Sequence, residues 1–190
     1  MCEQDEARGL STSRDRKQSF SLSLRTPRLD DGADISALIR DCPPLDTNSA
    51  YCGLLLCTHF KETCVVAERA GKMIGWISAY RPPAEPDRIF VWQVAVHASA
   101  RGTGLGKRML DELMTRQAVK DVTTLITTIT EANNASWALF GSFARRRGAG
   151  LQRRPIFQRD VHFAGEHDTE FLVSIRLLTP QLELSAKEAT

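Results

Sequence analysis

Phe90-Val91-Trp92-Gln93-Val94-Ala95-Val96 and, just after it, Arg101-Gly102-Thr103-Gly104-Leu105-Gly106-Lys107 decide how this chain is read. Phe90, Trp92, Val94 and Val96 alternate with Val91, Gln93 and Ala95, and both sets are nearly all apolar. That pattern predicts a strand covered on both faces. The glycines that follow lack a Cβ and tolerate positive φ, so the backbone can come close to a ligand. The periodic run Leu105, Met109, Leu110 and Leu113 predicts a helix. Its first turn would aim free N–H groups and the positive end of its dipole at the loop, a setting that suits a pyrophosphate.

Three nucleotide-binding patterns compete for this loop. A Walker loop, G-x-x-x-x-G-K-[ST], fails because Arg101 stands where its first glycine belongs and Arg108 follows Lys107. A dinucleotide fingerprint starting at Gly102 fails because Lys107 replaces its third glycine. The pattern [QR]-x-x-G-x-[GA] remains, filled by Arg101, Gly104 and Gly106. Directly after a buried strand, it resembles the coenzyme A loop of the GNAT-type N-acetyltransferases; the alternative is a surface turn with a tight helix start.

Working outward from this unit, Met73 to Tyr80 reads as the strand before it, joined through a Gly71-Lys72 turn to a strand over Cys64 to Glu68. Upstream, Phe20 to Arg25 alternates as a first strand. Asp30 or Asp31 suits the cap of a helix carrying Ile35, Leu38 and Ile39, which Cys42-Pro43-Pro44 ends. Asn48 or Ser49 suits the cap of a second helix through Tyr51, Leu54, Leu55 and Thr58. Downstream, the β-branched run Val122 to Ile129 reads as a strand. Asn133 and Asn134 open a helix that closes at Arg145-Arg146-Arg147-Gly148, with cations at the negative dipole end and glycine to stop it. Two more strands follow, the last over Glu170 to Leu177. The order β-α-α-β-β-β-α-β-α-β-β predicts an α/β (mixed α+β) fold with helices on both faces of a mixed, mostly antiparallel sheet. The polar, aperiodic residues 1–19 read as a disordered tail, 20–178 as a single domain and 179–190 as a loose tail.

The composition is that of an ordinary globule: 190 residues, 42% hydrophobic and 25% charged. A net charge of +2 is too small to argue for nucleic-acid or membrane partners, and none is expected. The chain has no membrane-spanning run and no signal-peptide core, so a cytoplasmic location is expected. The five cysteines (Cys2, Cys42, Cys52, Cys57 and Cys64) are odd in number and form no C-x-x-C; they read as small hydrophobes rather than a disulfide frame or metal site.

Four stretches together resemble the diaminobutyrate N-acetyltransferases of ectoine synthesis. They are Leu45-Asp46-x-Asn48-Ser49-x-Tyr51, His59-Phe60-x-Glu62-Thr63-Cys64-Val65-Val66-Ala67-Glu68, Phe90 to Val96, and Gly165-Glu166-His167-Asp168-x-Glu170. The resemblance implies the acetyltransferase fold, in which two strands splay apart to admit the pantetheine arm, here near Val96 and Ile129. It implies acetyl-CoA as co-substrate, held by Val94, Ala95, Val96, the loop Arg101, Gly102, Thr103, Gly104, Leu105, Gly106 and Lys107, and Asn133. It implies L-2,4-diaminobutyrate as acceptor, lined by Asp46, Tyr51, Trp92, His167 and Glu170, in a homodimer with no metal. Each acceptor residue also has a plainer use: Asp46 as a helix cap, Tyr51 on an apolar helix face, Trp92 in the core, His167 and Glu170 in a solvated loop.

The implied chemistry makes its own demands. An alkyl ammonium titrates near about 10.4, so a base must take its proton before it attacks a thioester. Glu170 with His167 is the candidate base, Asp46 the candidate partner of the α-ammonium, and a backbone N–H of Val94 to Val96 the candidate oxyanion donor. Phe140 stands where many such enzymes carry a proton-giving tyrosine. Pro155 to Asp160 matches no pattern of the family. Arg145, Arg146, Arg147, Arg153 and Arg154 suit either the 3′-phosphate of coenzyme A or a solvated helix end. Two other functions fit the same fold: acetylation of another small amine or a peptide N-terminus, and a CoA-binding sensor without catalysis.

Overall fold

The computed structural model describes residues 21–177; the two tails, with Cys2, Phe20 and Leu178, lie outside them. The strands are β1 (Leu22–Arg25), β2 (Val65–Arg69), β3 (Lys72–Tyr80), β4 (Arg88–Val96), β5 (Thr124–Thr130), β6 (Leu151–Phe157) and β7 (Glu170–Arg176). The helices are α1 (Gly32–Arg40), α2 (Ala50–Thr58), α3 (Leu105–Leu113), α4 (Asn134–Arg146) and the one-turn α5 (Arg159–His162). The order matches the expected one, with α5 added. One sheet runs β1-β2-β3-β4-β5-β7-β6, antiparallel except where β4 meets β5.

Both faces of the sheet are covered. Val65, Ala67, Ile77 and Val91 join Met109 and Leu110 of α3 and Phe143 of α4 in one buried cluster. Cys64, Val66, Trp76 and Ala95 join Ile35, Leu38 and Ile39 of α1 and Leu56 of α2 in the other. Alternate residues of β2 feed alternate layers, as a strand with period two must. Gly75 seats α3 on β3: a Cβ there would lie 2.8 Å from Met109 Sδ and 3.1 Å from Ala67 Cβ.

β4 departs from simple alternation. Ile89 and Val91 face the α3–α4 layer, whereas Ala95 faces the α1–α2 layer. The two sets share one parity, so a simple strand would put them on one face. The cause is a β-bulge: Ala79 pairs with Val91 and Ser78 with Gln93, leaving Trp92 unpaired. The pairing of β4 with β5 covers Arg88, Ile89 and Phe90 only. Just beyond Phe90 the two strands therefore part, which is the expected splay.

The caps also sort themselves. Ser49 Oγ accepts the Cys52 N–H at 3.2 Å and caps α2. Asp31 does not cap α1 with its side chain; it receives the Arg25 guanidinium at 2.7 and 2.9 Å, which holds its carboxyl well below the usual range. Cys42, Cys57 and Cys64 are buried, Cys52 is half-buried, and all four are free thiols.

Candidate active site

Two cavities meet at the splay. The larger, about 600 Å³, runs between the glycine loop, α4 and the outer part of β4. Val94, Val96, Arg101, Gly102, Gly104, Leu105, Gly106, Lys107 and Asn133 line it. Two residues expected there do not. Ala95 is turned into the α1–α2 core, and Thr103 spends its hydroxyl on the Ala100 carbonyl at 2.7 Å. Gly102 and Gly104 adopt φ of 74° and 76°, which a side chain strongly disfavours. The α3 ladder begins with the Arg108 N–H on the Gly104 carbonyl at 3.1 Å. The N–H groups of Leu105, Gly106 and Lys107 precede it and point outward at the positive end of the dipole. The lining also includes apolar Leu139, packed beside Gly106. The cleft thus pairs an anion-binding end with an apolar flank, the shape of a long ligand with a pyrophosphate at one end.

The second cavity, about 370 Å³, lies on the other side of the splay and shares Pro44, Leu45, Val94, Asn133 and Ser136 with the first. Asp46, Trp92, His167 and Glu170 line it together, although they come from three separate segments. Trp92 is not core: the bulge turns it out, 41% exposed. Tyr51 lies elsewhere, on the outer side of α2, 69% exposed and off the cavity wall. The arginine cluster is also elsewhere. Arg146 pairs with Asp111 at 3.1 Å, Arg147 covers the Phe143 ring, Arg153 covers Trp137 and Phe171, and none lines the larger cleft.

Glu170 opens β7, held between Thr130 of β5 and Phe157 of β6. Its Oε2 is fully buried without a hydrogen-bond partner. That burial raises its carboxyl above the ordinary value; Thr128 and His167 oppose the rise, and the Asp46 carboxylate adds to it. A carboxylate reluctant to be ionised is a stronger proton acceptor than an exposed one. His167 Nδ1 sits 2.9 Å from the Asp168 carbonyl oxygen, which only accepts, so Nδ1 carries the hydrogen. Its Nε2 faces Asp46 Oδ2 at 3.9 Å, while the ring leans on Phe163 with centroids 4.7 Å apart.

The backbone of β4 supplies donors. The Gln93 N–H goes to Ser78 Oγ at 3.1 Å and the His97 N–H to the Ile74 carbonyl at 3.0 Å, both towards β3. By alternation the N–H groups of Val94 and Val96 point the other way, into the splay. Phe140, 2% exposed, lies on the cavity wall with no proton to offer.

Gln93 and Arg159 also line this cavity and were not among the expected residues. Gln93 is 4% exposed. Its Nε2 donates to the Asp46 carbonyl at 2.8 Å, and its Oε1 accepts from Asn48 Nδ2 at 3.1 Å. A buried amide so satisfied clamps the Asp46–Asn48 loop onto β4. A glutamine amid an apolar strand was the available signal. Arg159 gave none, since its segment has no recognisable pattern.

Against this geometry stand the relatives. The profile of the Acetyltransferase (GNAT) family matches residues 33–144. An L-2,4-diaminobutyric acid acetyltransferase of Vibrio cholerae is 47% identical over 161 residues, 85% of this chain and 93% of its own length. This chain belongs to the diaminobutyrate acetyltransferases, within the GNAT family. The enzyme of that name from Vibrio parahaemolyticus is 48% identical over 81% of this chain and 85% of its own. The solved diaminobutyrate acetyltransferase EctA of Paenibacillus lautus, in complex with its substrate L-2,4-diaminobutyric acid and coenzyme A, superposes with a TM-score of 0.80. It is 37% identical, covering 83% of this chain and 96% of that one. This chain carries its glycine loop between β4 and α3. Among its described residues no helix is long and apolar enough to cross a membrane.

Proposed function

We propose that this acetyltransferase moves the acetyl group of acetyl-CoA to the 4-amino group of L-2,4-diaminobutyrate, giving N4-acetyl-L-2,4-diaminobutyrate for ectoine synthesis. The observation that carries the reading is the junction of the two cavities at the splay, with a half-buried carboxyl, Glu170, in the acceptor wall. The glycine loop and the N-terminus of α3 hold the pyrophosphate of the co-substrate. Glu170 takes the proton of the 4-ammonium, directly or through one water. The Val94 or Val96 N–H donates to the thioester oxygen as it gains charge. Asp46 holds the α-ammonium end away from the thioester, and His167, 3.9 Å from the Asp46 carboxylate, orients the substrate or relays the proton to Glu170. The sulfur departs as thiolate, which thiol pKa values near about 8.5 permit, so Phe140 is no obstacle.

The reading extends to a homodimer. α2 is apolar nearly all round, with Tyr51 69% and Leu54 39% exposed, the composition of a helix covered on two sides.

Purified protein with acetyl-CoA and diaminobutyrate should release thiol, and NMR of the product should place the acetyl on the 4-amino nitrogen. Lysine should be a poor acceptor, because a longer arm anchored at its α end carries the distal amine past the attack position. Acetylation on the 2-amino nitrogen would overturn the assignment of Asp46. Acetyl-CoA binding without turnover of any amine would leave a sensor.

A further inference from the structure

The acceptor cavity is lined by four carboxylates, those of Asp46, Glu166, Asp168 and Glu170. Such a wall suits a ligand with two amines, but the proposed acceptor also bears a carboxylate. Among the described residues that line the cavity, Arg159 alone carries a guanidinium or ammonium group. Resting on the acceptor assignment above, we propose that Arg159 is the specificity residue that binds the α-carboxylate, so that the enzyme selects an amino acid over a plain diamine.

Its anchoring fits the task. The Arg159 N–H donates to Thr169 Oγ1 at 3.1 Å, beside Glu170. Its carbonyl accepts the Gly165 N–H at 3.0 Å and the Phe163 N–H at 3.2 Å. The root of the side chain is thereby fixed next to the base. The head is free by comparison: it is 54% exposed and held by one contact, Nη1 to Asp168 Oδ1 at 3.1 Å. An exposed pair of this kind is weak. A substrate carboxylate, taken bidentately by the same guanidinium in a more enclosed setting, replaces it at a gain. Asp168 thus holds the fork at the rim until the acceptor arrives.

The test compares diaminobutyrate with 1,3-diaminopropane, which has both amines at the same spacing and no carboxylate. Arg159→Met changes no backbone hydrogen bond, so the protein should fold. The kcat/KM ratio of diaminobutyrate to diaminopropane should fall roughly 10- to 100-fold, the usual worth of hydrogen bonds to a charged group. Arg159→Lys should restore part of that ratio. Diaminopropane is also measured as a competitive inhibitor of diaminobutyrate acetylation, so slow turnover still reports its affinity. An equal loss for both amines would overturn the proposal and leave Arg159 as a structural tie for α5. Failure of the wild-type protein to acetylate diaminobutyrate at all would instead overturn the acceptor assignment.

Discussion

The two halves of the active site are built by opposite means. The coenzyme A cleft is made chiefly of backbone: positive-φ glycines, a helix N-terminus and the free edge of β4 beyond Phe90. Its anion-binding end comes from one stretch, Val94 to Lys107. The acceptor cavity is made of side chains from distant segments: Asp46, Trp92, His167 and Glu170. The difference follows from the ligands. A pyrophosphate is read by N–H groups, which any sequence supplies if its glycines allow the turn. A small amino acid with three charged groups is read by side chains, which must be brought together from wherever the chain has them.

If that division holds, variants in one half should leave the other substrate untouched. The largest effect should come from Glu170→Gln, which keeps size and removes the basic oxygen. We expect kcat to fall roughly 10²-fold or more with the acetyl-CoA KM near normal, and part of the loss to return at high pH where free amine is abundant. A raised diaminobutyrate KM with an unchanged pH profile of kcat would make Glu170 an ammonium holder instead. Next, Gly104→Val places a β-branched residue at φ 76°. The acetyl-CoA KM should rise about tenfold or more by distortion of the loop, since a left-handed L-residue costs about 1–2 kcal/mol, while the diaminobutyrate KM holds. Unchanged acetyl-CoA binding by calorimetry would break the comparison on the cleft side.

Gln93→Leu should act more mildly and on the acceptor alone. It leaves the Asp46 carbonyl and Asn48 amide without their partner. Each lost hydrogen bond is worth about 0.5–1.5 kcal/mol, so a diaminobutyrate KM several-fold higher is expected, with acetyl-CoA unaffected. A matched rise in both would mean that β4 itself had shifted. The smallest effect is on stability. The Glu170 carboxyl is raised in the folded state, so its ionisation opposes folding. That penalty is present at neutral pH and disappears as pH falls through the folded and then the unfolded value. Glu170→Gln should therefore melt slightly higher than wild type at neutral pH, with the gap closing in acid. The same shift puts the acid limb of kcat/KM above the ordinary glutamate value of about 4.3.

Legibility follows the same division. Strand, glycine loop and helix were read correctly because each rests on local rules of alternation, φ tolerance and helical period. The β4 faces were misread past Val91, because apolar residues on both sides conceal a bulge. Plain sequence reasoning favoured Trp92 as core, and only resemblance to a family placed it at the acceptor. Asp30 or Asp31 suited a cap, yet Arg25, six residues upstream on β1, claims the Asp31 carboxylate.

The sequence by itself determined the order of elements, the covered sheet and the phosphate-binding turn, since these depend on interactions between near neighbours in the chain. Only the tertiary structure decided that Trp92 leaves the core while Gln93 enters it, that Asp46 and His167 stand 3.9 Å apart, and that Arg159 borders the cavity. It also turned Tyr51 outward from the cavity to which the family resemblance had assigned it. These placements depend on which layer covers which face and on where long loops close. That outcome is settled by packing and by hydrogen-bond satisfaction across the whole sheet, not by any local run of residues.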